Sequence, residues 1–297
     1  MLCAIVPKQY TTPGIAGAPG ALAMPARLAR TRLVWLLMRL VEHERMSRWA
    51  ARGRLSALTP LIGRGELAIL GGLSARMRID AATFAPWSAQ AYPVLTGTHE
   101  IAVQQALVRS LRDGDHVWDV GANIGSLALV AARIVGPAGR VLAIEPDARC
   151  AAALRRNAAL NDLRQIEVLE AAAARDSGSA ELVVVRDRLW TRLASVGGHE
   201  QQERRVTVAT VALDDVDAPP PRLVKIDVEG AELDVIAGMA RLLREVRPLV
   251  ICEMHGRNAE FCDAMAAMGY VVGNLDDSDP VREAGPNVHA LCMPPPG

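Results

Sequence analysis

His116-Val-Trp-Asp-Val-Gly-Ala-Asn-Ile-Gly-Ser126 decides the fold. A short apolar strand, Val117 to Val120, runs into a turn that carries Gly121 and Gly125. An alanine-rich segment of helical character, Ile124 to Val135, follows. Strand, glycine turn and helix in this order open a nucleotide-binding α/β fold. Glycines let the backbone approach a ligand closely, and the helix N-terminus presents free N–H groups.

The turn does not fit a dinucleotide. That fingerprint needs G-x-G-x-x-G, and here the order is Gly121, Asn123, Gly125. No Gly-Lys-Ser/Thr occurs, so there is no P-loop. Asp119 lies inside the motif, where its charge would repel a pyrophosphate and favour a cation. The pattern D-x-G-x-N-x-G resembles motif I of S-adenosylmethionine-dependent methyltransferases. That cofactor carries a sulfonium and an ammonium and no phosphate, and its carboxylate can use loop N–H groups. The next apolar run, Val141 to Ile144, ends in Glu145 and Pro146. Alone, Glu145 reads as a strand-end residue in solvent. Twenty residues after Gly125, it stands where an acidic side chain accepts from ribose hydroxyls.

The 297 residues are 51% hydrophobic, enough for one large domain and an appendage. Net charge is zero, so no electrostatic footprint for nucleic acid is present. The five cysteines (Cys3, Cys150, Cys252, Cys262, Cys292) are scattered and form no C-x-x-C. They read as reduced thiols, neither a disulfide framework nor a zinc site. The apolar run Leu33 to Met38 is too short to span a bilayer, and no signal peptide is evident, so the expected location is cytoplasmic. Only Lys8 and Lys225 are lysine in this arginine-rich chain.

Residues 1–26, rich in Ala, Pro and Gly, read as disordered. Residues 27–95 read as a helical to irregular extension. Within it, Leu33, Leu36, Leu37, Leu40 and Val41 have helical spacing. That helix over 27–52 packs on the domain or a partner, with contact to a membrane surface as the other reading. Gly63 to Gly72 reads as a loop-rich junction and Leu73 to Tyr92 as irregular or weakly stranded. From residue 96 onward strands and helices alternate, which implies a mostly parallel sheet with helices on both faces. Expected helices are Glu100–Leu111, Ser126–Val135, Ala148–Ala159, Ala231–Arg244 and Asn258–Met268. Ala180–Val185 and Arg205–Val211 read as a hairpin or added strands. Val288–Met293 follows Tyr270–Asn274 without a helix, so it should pair antiparallel with it. Trp190 to Gly198 is a lid, an acceptor loop or a hairpin tip.

Leu223-Val-Lys-Ile-Asp-Val-Glu-Gly-Ala-Glu232 is the second dense motif. An apolar strand delivers Asp227 and Glu229 to its carboxyl end, where doubly wound sheets bind ligands. Lys225 and Asp227 share a strand face and can pair. Glu253 and His255 end the following strand. Taken with Leu213-Asp214-Asp215 and Glu145-Pro146, these motifs resemble the FkbM-type methyltransferases over roughly residues 95–256.

The resemblance implies a class I methyltransferase fold: a Rossmann-like, mostly parallel seven-stranded α/β sheet. It implies S-adenosylmethionine as methyl donor and, usually, an oxygen of a sugar or natural product as acceptor. Carried over by position, Asp119, Gly121, Ala122, Asn123 and Gly125 line the methionine end of the cofactor, and Glu145 holds the ribose. Glu100 approaches the cofactor or starts a helix. The residues after the third strand, Ala171 to Ala174, offer no acidic adenine contact, which leaves that contact to the backbone.

Attack by a hydroxyl needs alignment and a base. His255 is the favoured base, since an unperturbed imidazole titrates at about 6.5. Asp227 is second, as base or as a carboxylate orienting His255 or Lys225. Glu229 and Glu253 hydrogen-bond substrate hydroxyls. A divalent cation on Asp227, Glu229 or Glu253 fits hard-cation chemistry, but no spacing demands it and no metal is assigned. His43, His99, His116, His199 and His289 show no ligand spacing and read as surface or structural. The expected partner is a small-molecule or glycan hydroxyl acceptor, and a homodimer is compatible with this. The competing readings are a nicotinamide-dependent oxidoreductase on a similar sheet and a catalytically silent binding module.

Overall fold

The structure is a computed structural model, and it describes residues 65–84, 91–185, 191–193 and 203–295. The expectations for 1–26 and 27–52, and most of Trp190 to Gly198, lie outside the described residues.

Two short strands, β1 (Glu66–Ala68) and β2 (Arg78–Asp80), pair antiparallel, and a 3-10 turn (Ala81–Phe84) and helix α1 (Ala91–Thr96) follow. The alternating region then runs α2 (Ile101–Ser110), β3 (His116–Val120), α3 (Ser126–Val135), β4 (Arg140–Ile144), α4 (Ala148–Leu160) and β5 (Ile166–Leu169). Strands β6 (Ala172–Ala173), β7 (Gly178–Val185), β8 (Thr191–Leu193) and β9 (Glu203–Val211) form a separate four-stranded sheet in the order β6-β9-β7-β8. The chain returns to the main sheet with β10 (Leu223–Ile226), α5 (Glu232–Gly238), α6 (Ala240–Glu245), β11 (Leu249–Met254), α7 (Asn258–Ala267), β12 (Val271–Asn274) and β13 (Val288–Met293).

The main sheet has seven strands in the order β12-β13-β11-β10-β3-β4-β5. Six run parallel, and β13 is antiparallel to both of its neighbours. The expected pairing of β13 with β12 is present. The sequence did not show that β13 also inserts against β11.

Alternation along the strands fills two cores. Trp118, Val120, Val224, Ile226, Val250 and Cys252 point to the side covered by α5, α6 and α7. Val117, Val141, Ala143, Leu223 and Ile251 point to the side covered by α2, α3 and α4. Each fully buried aliphatic side chain contributes about 2 kcal/mol. The same alternation puts Asp119, Lys225 and Glu253 on the α2–α3 side, so the pleat itself gathers the charged residues.

Residues before the alternating region join the core. Leu67, Ile79, Phe84 and Leu95 pack with Ile124 of the glycine turn and with Cys150 and Ala153 of α4. Buried Asn157 ties the two parts: its Oδ1 accepts from Asp80 N at 2.9 Å and its Nδ2 donates to Ile124 O at 2.9 Å. The stretch read as irregular or weakly stranded, Leu73 to Tyr92, thus holds β2, a 3-10 turn and the first residues of α1.

The helix expected over Ala231–Arg244 is two helices that break at Met239. A Cβ on Gly238 would stand 2.0 Å from Ala174 O, so this turn rests directly on backbone. Asp214 then caps the restart, its two carboxylate oxygens accepting from Arg241 N at 2.7 Å and Leu242 N at 2.8 Å. Asp214 is thereby a structural cap within the Leu213–Asp215 motif.

Candidate active site

The carboxyl ends of β3, β10 and β11 open on the α2–α3 side into a cavity of about 230 Å³. Glu100, Asp119, Gly121, Ala122, Asn123, Lys225, Asp227, Glu229 and Glu253 all line it. The two sequence motifs meet there because β3 and β10 are neighbours, with Lys225 in register with Asp119.

Lys225 is the hub. Its buried Nζ lies 3.3 Å from Asp227 Oδ2 and 3.8 Å from Asp119 Oδ1. Burial works against its charge, but Asp227, Asp119, Glu100 and Glu253 outweigh that and hold the ammonium well above the usual lysine range. Burial pushes the Asp119 carboxyl up to about 6, against the pull of Lys225. Both Asp119 oxygens are sealed and accept no hydrogen bond.

Gly121 and Gly125 hold φ of 74° and 88°. Their bare Cα atoms serve the loop itself: a Cβ on Gly121 would stand 1.7 Å from Asp227 O, and one on Gly125 2.7 Å from Leu154 Cγ. The same glycines thus serve internal packing between the two motifs and against α4, while Gly121 also lines the cavity. Asn123, at φ 52°, donates its backbone N–H to Glu145 Oε2 at 2.8 Å. Asp147 N donates to Glu145 Oε1 at 2.8 Å. Glu145 is buried, and desolvation pushes its carboxyl up to about 7. It braces the turn and does not line the cavity.

Glu100 stands at the N-cap of α2 with φ 46° and makes no capping bond. Its side chain turns into the site instead, Oε1 lying 2.8 Å from His99 Nε2. Burial opposes its ionisation, yet the His99 bond and the charges of Lys225, His99 and His289 keep the carboxyl down at about 2. Glu100, Asn123 and Glu229 all hold positive φ at the cavity wall, where such backbone costs about 1–3 kcal/mol each unless its surroundings enforce it.

His255 is backed by a carboxylate. Its Nδ1 donates to buried Glu232 Oε1 at 2.9 Å. Its Nε2 faces Glu229 Oε2 at 3.4 Å, Glu253 Oε1 at 3.8 Å and Asp227 Oδ1 at 3.9 Å. Burial alone would favour neutral imidazole, but the Glu232 bond and the charges of Glu229, Asp227 and Glu232 raise it to about 9. The neutral form that favoured His255 as base is therefore not its form at pH 7. Glu229 moves the other way from an ordinary carboxyl: burial lifts it to about 7, against the charge of His255. Glu253 is also raised by burial.

The structure thus brings together Glu100, Asp119, Lys225, Asp227, Glu229, Glu253 and His255, with Glu145 bonded to the adjoining turn through Asn123 N. Sequence reasoning missed Glu232 as the partner of His255, and it missed His289. His289 lies directly opposite Glu253 across the β11–β13 pair. Its Nε2 is 3.8 Å from Glu253 Oε2 and 3.8 Å from Glu100 Oε2, and its Nδ1 meets Asp276 Oδ2 at 3.0 Å. The period-two pattern of β13 was visible, and its neighbour was not. Among the described residues, no helix is long and apolar enough to cross a membrane.

Comparison with known proteins agrees with the motifs. The family model of the methyltransferase FkbM domain matches residues 119–276, more than half of the chain. Among curated relatives, the hexuronic acid methyltransferase AglP of Haloferax volcanii is 30% identical over 52% of this chain and 61% of its own. The methyltransferase sdnD of Sordaria araneosa is 29% identical over 44% of this chain and 63% of its own. The chain therefore spans under two thirds of the length of these relatives. Among solved structures, an FkbM methyltransferase from Methylobacillus flagellatus aligns at 19% identity and a TM-score of 0.43, covering 68% of this chain and 53% of that one. The chain belongs to the FkbM methyltransferase family, and the mostly parallel seven-stranded sheet is the one the resemblance implied.

Proposed function

We propose that the chain is an S-adenosylmethionine-dependent O-methyltransferase acting on a hydroxyl of a sugar, glycan or related natural product. The observation that carries this is the charge of the cavity. Five carboxylates line it (Glu100, Asp119, Asp227, Glu229, Glu253) against one ammonium, Lys225. A sulfonium and an ammonium suit such walls, whereas a pyrophosphate does not. Asp119, beside Lys225, adds to this negative wall. The oxidoreductase reading has no support in this cavity. The relative acting on a hexuronic acid supports a sugar-type acceptor.

When bound, S-adenosylmethionine supplies an electrophilic methyl group on a cationic sulfur. Asp119 and the backbone of Gly121, Ala122 and Asn123 would hold its methionine end, and Glu145 would meet the ribose with the lone pairs its two backbone bonds leave open. Glu229 is the proton acceptor. During methyl transfer the Glu229 carboxylate would take the proton released by the acceptor hydroxyl. The imidazolium of His255 orients that carboxylate, Glu232 orients His255, and Asp227 and Glu253 accept from neighbouring hydroxyls. In this reading the methyltransferase domain is 96–297 and follows an extension over 27–95, of which Leu67, Ile79, Phe84 and Leu95 pack against Ile124 and α4. A cytoplasmic setting agrees with the four free, buried cysteines among the described residues.

The test is incubation of the full chain with methyl-labelled cofactor and a panel of glycans or metabolite extract, with mass spectrometry of the labelled product. Stabilisation by S-adenosylhomocysteine and a methyl ether in the product support the reading. Stabilisation by NAD alone would overturn it, and cofactor binding without any product would leave a silent module.

A further inference from the structure

Glu253 stands between two imidazoles, each backed by its own carboxylate: His255 by Glu232, and His289 by Asp276. The first unit belongs to the proposed chemistry, and the second has no part in it. We propose that Glu100, Glu253 and His289 form a binding site for a divalent first-row cation such as Mn2+.

Three chain segments converge there: the start of α2, the end of β11 and the start of β13. One donor atom from each of the three residues lies within 4.8 Å of the other two. Oε2 of Glu100 and Nε2 of His289 are sealed from solvent, face each other at 3.8 Å and take no hydrogen bond. That distance is too long for a hydrogen bond. It suits two ligands of one ion, since donors about 2.1 Å from a shared metal stand about 3–4 Å apart.

The surroundings fit a ligating histidine. A metal-bound imidazole gives its other ring N–H to a carboxylate, which fixes tautomer and orientation. His289 Nδ1 lies 3.1 and 3.0 Å from the two oxygens of Asp276, and Asp276 Oδ2 also accepts from His289 N at 2.8 Å. That leaves Nε2 free to ligate. Two carboxylates with one imidazole favour Mn2+-like ions over thiol-seeking ones. Nearby Lys225 pairs most closely with Asp227 and Asp119 and makes no ion pair with the trio. Glu100 and Glu253 line the cavity, and open coordination positions would face it, within reach of acceptor hydroxyls.

The experiment titrates the full chain, stripped with EDTA, with MnCl2 and follows free Mn2+ by electron paramagnetic resonance. One ion per chain is expected, with nitrogen coupling from His289 in the spin-echo spectrum. His289→Ala should abolish that coupling, and Glu100→Gln should weaken binding about tenfold or more. Asp276→Asn, which leaves all three ligands in place, should weaken it about tenfold as well, and it serves if His289→Ala does not fold. His255→Ala should leave Mn2+ affinity unchanged. Absence of saturable binding, retention of nitrogen coupling in His289→Ala, or loss of binding in His255→Ala would each overturn the site. None of these readouts involves methyl transfer, so the two proposals stand or fall separately.

Discussion

Gly121 touches the backbone of Asp227: a side-chain carbon on the glycine would sit 1.7 Å from the Asp227 carbonyl oxygen. The first and second motifs are thereby locked by direct backbone contact. Gly121→Ala should cost about 2 kcal/mol or more, from the collision and from its φ of 74°. A thermal melt of the variant at neutral pH checks this, and an unchanged midpoint would show that the contact carries no constraint.

Lys225 is buried between Asp119 and Asp227. Lys225→Met removes the positive member and leaves buried Asp119 facing half-buried Asp227, with an expected loss of about 3 kcal/mol. Adding Asp119→Asn should recover part of it. Urea unfolding of the single and double variants measures the coupling, which should be absent if Lys225 were merely a filler.

Turnover should rise with pH as the Glu229 carboxyl ionises near pH 7. If neutral His255 were the base instead, the rise would wait until about pH 9. Glu229→Gln should lower turnover about 10²–10⁴-fold and erase the limb near 7. A profile of kcat/KM against pH separates the two assignments.

Burial holds the Glu145 carboxyl at about 7, against 4.5 in an open chain. The protonated form is thus favoured in the folded state. The group contributes stability below pH 4.5, and this contribution is lost as pH climbs through 7. Glu145→Gln should therefore flatten the decline of stability between these values, even where it lowers stability overall. Chemical denaturation at several pH values follows the difference between the two proteins.

Much of the fold was legible. The bounds of α3 and β13 match the expectation residue for residue, because apolar periodicity and turn residues agree there. The single helix read over 231–244 failed because its break depends on Asp214 and on the backbone of Ala174, neither of which local periodicity can report. The site residues on motif strands were readable, since strand ends carry chemistry in such sheets. His289 and Asp276 were not. Their role comes from β13 choosing β11 as a neighbour, a long-range pairing that no local pattern encodes. The resting charge of His255 was equally out of reach, because it arises from Asp227, Glu229 and Glu232, which the end of β10 and the start of α5 fold around it.

The interior position of β13 has a further consequence. This strand follows all the others in chain order, yet it lies between β11 and β12 and supplies the imidazole opposite Glu253. During synthesis, the five strands from β5 to β11 can assemble while β12 waits without a partner. The sheet closes only after the stretch through Met293 has left the ribosome. A nascent chain stalled before that point would hold much of its core and an incomplete active centre, with an open strand edge exposed to chaperones and to misassembly.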